Sequence, residues 1–287
     1  MRLGERTLVM GVVNITPDSF SDGGKFLAPD AAVTHALRLL EEGADILDIG
    51  AESTRPGASV ALEATGRGHQ GVSADEELRR LMPVLIGIRA ERPETLISVD
   101  TYKSEVARAA LDAGADVIND VSGLRWDEDM TRTLSKADCG VVLMHMRGRP
   151  EEWRKLPPLE DPVGLVAREL RAWSDEAGRA GIGRERMMLD PGFGFGKSFG
   201  ENYPLIAGFR ALHALGYPLL AGTSRKSFLG RTLARDGKDA PASERLYATV
   251  ASTTACILEG AHIVRVHDVQ AAVEAARIAD AILAGGD

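Results

Sequence analysis

The stretch EGADILDIG at Glu42–Gly50 recurs in similar form twice along the chain, as AGADVINDV at Ala113–Val121 and EGAHIVRVH at Glu259–His267. In all three, a helical pattern ends at the glycine in the second position, and an apolar run begins about three residues later. Glycine readily adopts the left-handed conformation that closes a helix before a short loop. The repeat therefore predicts the helix-to-strand connections of an α/β fold, and it carries no information about function.

Eight short apolar runs extend this pattern over the whole chain. They are Thr7–Val13, Asp45–Ile49, Leu96–Val99, Val117–Ile118, Gly140–Met144, Met187–Leu189, Pro218–Ala221 and Ile263–Val266. The runs are too short for helices and are mostly apolar at successive positions, which is typical of parallel strands buried on both faces. Between them lie amphipathic segments, for example Asp30–Glu42, Glu76–Ala90, Ser104–Ala113, Val163–Arg179, Glu244–Glu259 and Val269–Leu283.

Eight strands that alternate with eight helices predict a (β/α)₈ TIM barrel of the α/β class. No linker or change in composition divides the chain, so we expect a single domain that spans residues 1–287. The segment Gly57–Ser73 contains four glycines and no clear period, and it predicts a long, mobile loop after the second strand.

The composition narrows the class of protein. Hydrophobic residues make up 44% and charged residues 26% of the chain, which is an ordinary globular balance. A formal net charge of −8 argues against a nucleic-acid partner, which normally requires a basic face. Because no secretory signal pattern opens the sequence and no apolar run is long enough for a membrane span, we expect a cytoplasmic protein. Cys139 and Cys256 lie far apart without a CxxC pattern, so we expect buried thiols rather than a disulfide or zinc site.

Polar residues follow every apolar run, and the active site of such a barrel lies at the carboxyl ends of its strands. We therefore favour an enzyme over a scaffold without catalytic activity. The cationic or potentially cationic residues suit a phosphate or carboxylate, and they are Arg55, Lys226, Arg265 and His267. Asp100, Asn119 and Asp190 suit a flat heterocycle with N–H donors. Taken singly, each carboxylate fits a helix cap or an ion pair equally well.

The segment DPGFGFGK at Asp190–Lys197 resembles a phosphate cradle, but its spacing is not that of a Walker loop. We interpret its glycines as a sharp turn after Asp190, with Phe193 or Phe195 as a wall for a ring. Asn14, Asp18 and Asp22 lie near one another in the first loop, which is a weak signal for Mg²⁺ beside a phosphate.

These segments together resemble the dihydropteroate synthases of the folate pathway. The motifs that carry the resemblance are GVVNITPDSFSDGG (11–24), DIGAESTRPGA (48–58), SVDTYK (98–103), INDVSG (118–123), LMHMRGRP (143–150), DPGFGFGK (190–197), GTSRKSFLG (222–230) and RVHDV (265–269). The resemblance spans nearly the whole chain and implies a TIM-barrel transferase. The implied reaction condenses 6-hydroxymethyl-7,8-dihydropterin pyrophosphate with 4-aminobenzoate, and it gives 7,8-dihydropteroate and pyrophosphate. It also implies sulfonamide binding and a homodimer.

The resemblance assigns roles residue by residue. Pterin binding falls to Asp100, Asn119, Asp190, Lys226 and Arg265. Pyrophosphate binding falls to Asn14, Thr54, Arg265 and His267, with Mg²⁺ on Asn14. Aminobenzoate binding falls to Phe20, Asp22, Thr54, Arg55 and Ser227. The implied catalytic residues are Asp100, Asp190, Lys226, Arg265 and His267.

The residues fit an SN1-like reaction, in which pyrophosphate leaves a methylene group beside an electron-rich ring before the amine attacks. Asp100 and Asp190 would then stabilise the cation, while Mg²⁺, Arg265 and His267 take up the departing charge. The alternatives are a methyltetrahydrofolate corrinoid-protein methyltransferase, a pterin-binding paralogue without activity, and a barrel that binds nucleotide phosphates. The stretch after Pro56 is longer than the family usually carries, and we interpret the extra residues as inert surface.

Overall fold

The computed structural model of the chain describes residues 3–15, 29–52 and 71–285. Its strands are β1 (Leu8–Asn14), β2 (Ile46–Gly50), β3 (Leu96–Asp100), β4 (Val117–Asp120), β5 (Gly140–Met144), β6 (Met187–Asp190), β7 (Leu220–Ala221) and β8 (Ile263–Val266). Its α-helices are α1 (Pro29–Glu41), α2 (Ala74–Glu91), α3 (Ser104–Asp112), α4 (Met130–Ser135), α5 (Pro162–Arg179), α6 (Asn202–Ala207), α7 (Ser227–Thr232), α8 (Leu246–Leu258) and α9 (Val269–Ala284).

All eight strands run parallel in one sheet, in the order β6-β5-β4-β3-β2-β1-β8-β7. A parallel bridge between Leu189 and Leu219 joins the two edges of the sheet. The amide of Leu189 also donates to the carbonyl of Pro218 at 2.9 Å across the same seam. The sheet therefore closes into a barrel, and the predicted (β/α)₈ TIM barrel is confirmed.

The glycines of the sequence repeat close three helices as predicted. Each has a positive φ: 102° at Gly43, 96° at Gly114 and 92° at Gly260. Two residues further on, Asp45 accepts a hydrogen bond from the amide of Val9 at 2.9 Å, and Asp116 accepts one from the amide of Ile97 at 2.8 Å. The repeat thus joins the first two of these helices to a neighbouring strand.

The inward-facing side chains of the strands change from apolar to polar along the barrel axis. At the amino ends they form an apolar layer, made by Leu8, Met10, Ile46, Val117, Val142, Met188, Leu220 and Ile263. Successive residues of a strand face opposite sides, so the next inward positions lie two residues further along. On β2, β4, β6 and β8 these positions are polar: Asp48, Asn119, Asp190 and Arg265. The alternation therefore seals the bottom of the barrel and places polar groups near its carboxyl end.

The structure differs from the sequence prediction in the second half of the chain. Strand β7 is only two residues long, and Leu219 just before it forms an isolated bridge to Leu189. Among the described residues there are nine α-helices rather than eight, since both α7 and α8 lie between β7 and β8. The six-residue helices α4, α6 and α7 are too short to give a clear hydrophobic period.

The structure also bears on the predictions for the two cysteines, for membrane-spanning helices and for the long loop. Cys139 and Cys256 are buried free thiols, as predicted. No helix in the described part of the chain has the length and apolar character needed to cross a membrane. Most of the predicted loop Gly57–Ser73 lies outside the described residues. Its last residue, Ser73, begins helix α2 by accepting a hydrogen bond from the amide of Glu76 at 3.2 Å.

Candidate active site

A cleft of about 1210 Å³ opens at the carboxyl ends of the strands. It is lined by every predicted site residue that the structure describes: Asn14, Asp100, Asn119, Asp190, Lys226, Ser227, Arg265 and His267. Strand register brings part of this set together, because Asp100 on β3 pairs with Asn119 on β4. The other predicted residues, Phe20, Asp22, Thr54 and Arg55, lie outside the described residues, as does Asp18 of the first-loop signal for Mg²⁺.

One guanidinium joins two carboxylates at the base of the cleft. The Nε of Arg265 donates to Oδ2 of Asp48 at 2.6 Å, and its Nη2 donates to Oδ2 of Asp100 at 2.7 Å. Burial raises the pKa of Asp100 to about 7, against the opposing charge of Arg265. The arrangement holds a carboxylate with a raised pKa next to a buried cation. Such a combination is more typical of a functional site than of a surface ion pair.

Asp48 was not among the predicted site residues, yet it organises this part of the cleft. It is fully buried, and Oδ1 accepts a hydrogen bond from Oγ of Ser98 at 2.6 Å. Its Oδ2 also accepts from Nδ2 of Asn119 at 3.2 Å. An ionised carboxylate can only accept, so this contact fixes the orientation of the Asn119 amide. Asn119 therefore keeps Oδ1, an acceptor, and the second N–H of Nδ2, a donor, to offer a ligand.

Asp190 completes a set of acceptors that we call the acceptor floor, formed by Asp100, Asn119 and Asp190. The amide of Gly192 donates to Oδ1 of Asp190 at 2.7 Å, which fixes the carboxylate against the turn that follows β6. Burial raises the pKa of Asp190, while this hydrogen bond and the charge of Lys226 act in the opposite direction. The floor therefore suits a planar ligand whose edge carries several N–H donors.

Phe193 and Phe195 both line the cleft, and Phe195 is the more exposed of the two. Phe193 is almost completely buried and stacks on Phe209, with ring centroids 6.2 Å apart. Phe195 is half-buried, and Nζ of Lys226 lies 3.8 Å from its ring centroid. The ring and the lysine therefore form one surface, apolar along the lysine stem and cationic at its tip.

His267 and Asn14 also line the cleft. Nδ1 of His267 lies 3.0 Å from Oγ of Ser224, and the same hydroxyl oxygen accepts from the amide of His267 at 3.1 Å. Asn14 ends β1 and contributes an amide oxygen to the cleft. Within the described ranges there is no group of three acidic, histidine or cysteine side chains that could hold a metal ion. A single amide oxygen fits only a Mg²⁺ ion that takes its other ligands from phosphate and water.

Two buried lysines next to the cleft were also missed by the sequence analysis. Lys103 forms ion pairs with Glu52 and Glu77, and Lys197 donates to backbone carbonyl groups. The available signal was a charged residue at the end of a motif, SVDTYK in one case and DPGFGFGK in the other. Nothing in either motif indicates that the side chain turns inward.

The sequence and the fold of this chain are similar to those of known enzymes. A pterin binding enzyme family matches residues 10–267. The dihydropteroate synthase of Synechocystis is 41% identical over 279 residues, which is 97% of this chain and 91% of that protein. A crystallised dihydropteroate synthase of Xanthomonas albilineans with 4-aminobenzoic acid is 44% identical, with a TM-score of 0.86 over 98% of this chain and 94% of that one. The Yersinia pestis dihydropteroate synthase in a sulfonamide drug complex is 39% identical, with a TM-score of 0.87 over 99% and 96% of the two chains.

Proposed function

The chain belongs to the pterin binding enzyme family, and from this premise we propose that it is a dihydropteroate synthase. It condenses 6-hydroxymethyl-7,8-dihydropterin pyrophosphate with 4-aminobenzoate to give 7,8-dihydropteroate and pyrophosphate. The similarity to enzymes of that name covers nearly the full length of the chain and supports this activity. The sulfonamide complex of the Yersinia pestis enzyme supports sulfonamide binding at the same site.

The observation that carries the assignment is the acceptor floor. A pterin presents an amino group and ring N–H groups along one edge, and these donors match the oxygens of Asp100, Asn119 and Asp190. Asp48 accepts one N–H of the Asn119 amide and so fixes its orientation, which leaves Oδ1 of Asn119 as an acceptor. A ring that offered acceptors along this edge would leave buried oxygens unpaired, which costs about 1–3 kcal/mol for each group. The floor therefore selects the pterin by its hydrogen-bond pattern.

The cations of the cleft serve the anionic parts of the two substrates. Arg265 lies against the pterin position and reaches toward the pyrophosphate, which His267 and Asn14 contact on the far side. Lys226 binds the pterin, Phe195 beside it forms a wall for the aminobenzoate ring, and Ser227 at the start of helix α7 binds the aminobenzoate carboxylate. Thr54, Arg55, Phe20 and Asp22 complete these subsites in our proposal.

In the proposed reaction the C–O bond to pyrophosphate breaks first, and its electron pair leaves with the pyrophosphate. The cation that remains is spread over the pterin and is stabilised by Asp100 and Asp190, whose carboxylates are already held in position by Arg265 and by the Gly192 amide. The amine of aminobenzoate then forms the C–N bond with its lone pair and releases a proton to solvent. An aromatic amine is nucleophilic without a base, so positioning carries much of the rate.

A Mg²⁺ ion held by Asn14 and the pyrophosphate oxygens would neutralise charge on the leaving group. We also propose that the enzyme works as a cytoplasmic homodimer. Large apolar side chains remain exposed on α8 and α9, namely Tyr247, Ile278 and Ile282, and they support an interface on this side of the barrel.

The test is a product assay with purified protein, dihydropterin pyrophosphate and Mg²⁺, run with and without 4-aminobenzoate. We expect release of pyrophosphate together with dihydropteroate, competition by a sulfonamide, and loss of turnover in Asp190→Asn and Lys226→Ala. The exposed Lys136→Met is the matched control and keeps full activity. Pterin binding without product formation would contradict the proposed catalytic activity and favour a pterin-binding paralogue without activity. Methyl transfer from methyltetrahydrofolate to a corrinoid protein would favour the methyltransferase alternative.

The order of bond breaking has its own test. A series of substituted anilines in place of aminobenzoate measures how the chemical step depends on amine nucleophilicity. We expect a weak dependence, because the pyrophosphate has left before the amine attacks. A steep dependence would contradict the SN1-like route.

A further inference from the structure

Lys197 is a buried cation surrounded by backbone oxygens. Its side chain is 6% exposed, and Nζ donates to three carbonyl oxygens: Gly192 at 2.8 Å, Phe195 at 3.2 Å and His145 at 3.3 Å. No carboxylate in the described part of the chain lies within 4.0 Å of this nitrogen. We call these three oxygens the carbonyl cage. Their partial negative charges converge on one point, so they need a cation or several N–H donors between them.

The carbonyl cage joins two connections that leave neighbouring strands. His145 follows β5, while Gly192 and Phe195 belong to the turn after β6. The two connections are closely interlocked, because a Cβ atom on Gly192 would lie 1.9 Å from the carbonyl oxygen of His145. Gly192 also has a φ of +64°, which favours glycine. Lys197 therefore links two backbone segments that are already in contact.

The linked turn carries a group for each substrate. At its beginning, the Gly192 amide fixes Oδ1 of Asp190 in the acceptor floor. Further along, Phe195 lies under the ammonium group of Lys226. The carbonyl groups of Gly192 and Phe195 are both bound by Lys197, so its Nζ holds the two residues whose other atoms face the ligands.

We propose, on the basis of the proposed function, that Lys197 is a positioning residue for both substrates. It fixes the Asp190 carboxylate for the pterin and the Phe195 ring for the aminobenzoate, and it contacts neither substrate itself. The chemistry of the cage explains why a lysine serves here. A tetrahedral ammonium group supplies three N–H donors, one for each carbonyl oxygen, whereas a methionine of similar length supplies none.

The electrostatic setting supports this role. Burial lowers the pKa of Lys197 to about 7, and the charge of Asp190 opposes the shift. Nearby Lys226 and Arg147 also disfavour the charged form, while Glu169 favours it. The chain therefore buries a cation at this turn although burial disfavours its charged form.

The experiment compares Lys197→Met and Lys197→Gln with the wild type and with the exposed control Lys136→Met. Calorimetry measures the Kd for dihydropterin pyrophosphate in the presence of Mg²⁺, and steady-state assays with varied aminobenzoate measure kcat and the KM for this substrate. Near-ultraviolet circular dichroism confirms the folded fraction of each protein. We expect Lys197→Met to raise both Kd and KM by at least about tenfold, and to lower kcat as well because the Asp190 carboxylate that it positions also stabilises the cation. Lys197→Gln, which keeps two N–H donors, should lie between Lys197→Met and the wild type.

Each possible result either supports or contradicts a positioning role for Lys197. Folded Lys197→Met with Kd and KM within about twofold of the wild type would overturn it, even if the melting temperature falls, because the role would then be structural only. If Lys197→Met fails to fold, Lys197→Gln decides by the same two constants. A wild-type protein that does not bind the pterin would overturn the proposed function and this inference with it. Wild-type binding with unchanged variants would overturn the inference alone.

Discussion

Lys103 and Lys197 are both buried beside the cleft, but the chain surrounds them in opposite ways. Lys103 is 1% exposed and has two carboxylate partners, Glu52 and Glu77. Lys197 has three carbonyl oxygens and no carboxylate within ion-pair distance in the described part of the chain. Burial disfavours the charge of Lys103, but Glu77 and Glu52 outweigh it and raise the pKa of Lys103 above its ordinary value. Burial lowers the pKa of Lys197 to about 7.

Carboxylate partners and carbonyl partners imply different roles for the two buried lysines. The carboxylates around Lys103 would themselves be unpaired charges without it, so the lysine is needed for the stability of the fold. The carbonyl groups around Lys197 are neutral, and losing the lysine leaves hydrogen bonds unmade rather than charges unpaired. We therefore expect the first lysine to act on stability and the second to act mainly on the geometry of the cleft.

The largest effect is predicted for Lys103→Met. It leaves Glu52 and Glu77 buried together without a cation, and breaking a buried pair in this way costs about 3–5 kcal/mol. Chemical denaturation with urea at neutral pH measures the free energy of unfolding. The exposed Lys136→Met serves as the control and changes it by less than about 0.5 kcal/mol. A loss below about 1 kcal/mol in Lys103→Met would remove the distinction between the two lysines.

The next effect concerns the backbone of the carbonyl cage. Gly192→Ala places a Cβ against the carbonyl oxygen of His145 and also forces a side chain onto a positive φ. We therefore expect the free energy of unfolding, measured by urea denaturation, to fall by about 2–4 kcal/mol. Gly194→Ala is a matched control, because its φ is also positive, at 78°, while its Cβ would only contact the Lys226 stem at 3.6 Å. This control should cost about 1 kcal/mol. Equal losses in the two variants would show that the interlocked carbonyl group has no special weight.

The pH dependence of stability should differ in sign for the two lysines. The pKa of Lys197 is lowered in the folded state from 10.5 to about 7, so the unfolded chain binds more protons between these values. Stability therefore rises with pH in this window, by about 2 kcal/mol between about pH 7.5 and about pH 9.5 relative to Lys197→Met. Lys103 has a raised pKa, so its contribution is fully present below 10.5 and falls only above it. Urea titrations of the wild type and of Lys197→Met at several pH values measure this difference in unfolding free energy. Parallel curves would contradict the lowered pKa.

The strand ends show why much of the acceptor floor could be read from the sequence. Asp100, Asn119 and Asp190 lie at or next to the ends of apolar runs, and the fold itself brings such ends together. The alternation of inward and outward residues then gives each of them an inward direction. These positions depend on local pattern and barrel topology, both of which one sequence carries.

Asp48 and Lys197 depend on contacts that no local pattern contains. Asp48 lies inside β2 between Leu47 and Ile49 and looks like part of a core strand, while its partner Arg265 is 217 residues away. The inward turn of Lys197 follows from loop backbone geometry that the glycines permit but do not specify. The assignments of Phe20, Asp22, Thr54 and Arg55 lie outside the described residues and stay predictions.

The smallest effect is predicted for Glu77→Gln. Glu52 and Glu77 share one ammonium group, so the three side chains carry a net charge of −1 in a buried place when all are ionised. Burial raises the pKa of Glu77, against the charge of Lys103, so burial costs the ionised form more than the ion pair returns. Glutamine keeps the shape and one acceptor, and we expect a change in unfolding free energy below about 1 kcal/mol at neutral pH.

The sign of this small effect follows from the same shift. The ordinary pKa of 4.5 is raised in the folded state, so Glu77 loses stabilising free energy as the pH rises above 4.5. Glu77→Gln should therefore gain stability relative to the wild type between acid and neutral pH, as measured by urea titration at both. A loss above about 2 kcal/mol at neutral pH would mean that Lys103 needs both carboxylates ionised. Lys103 and Lys197 would then differ in the number of ionised groups around them, and not only in whether their partners are carboxylates or carbonyl groups.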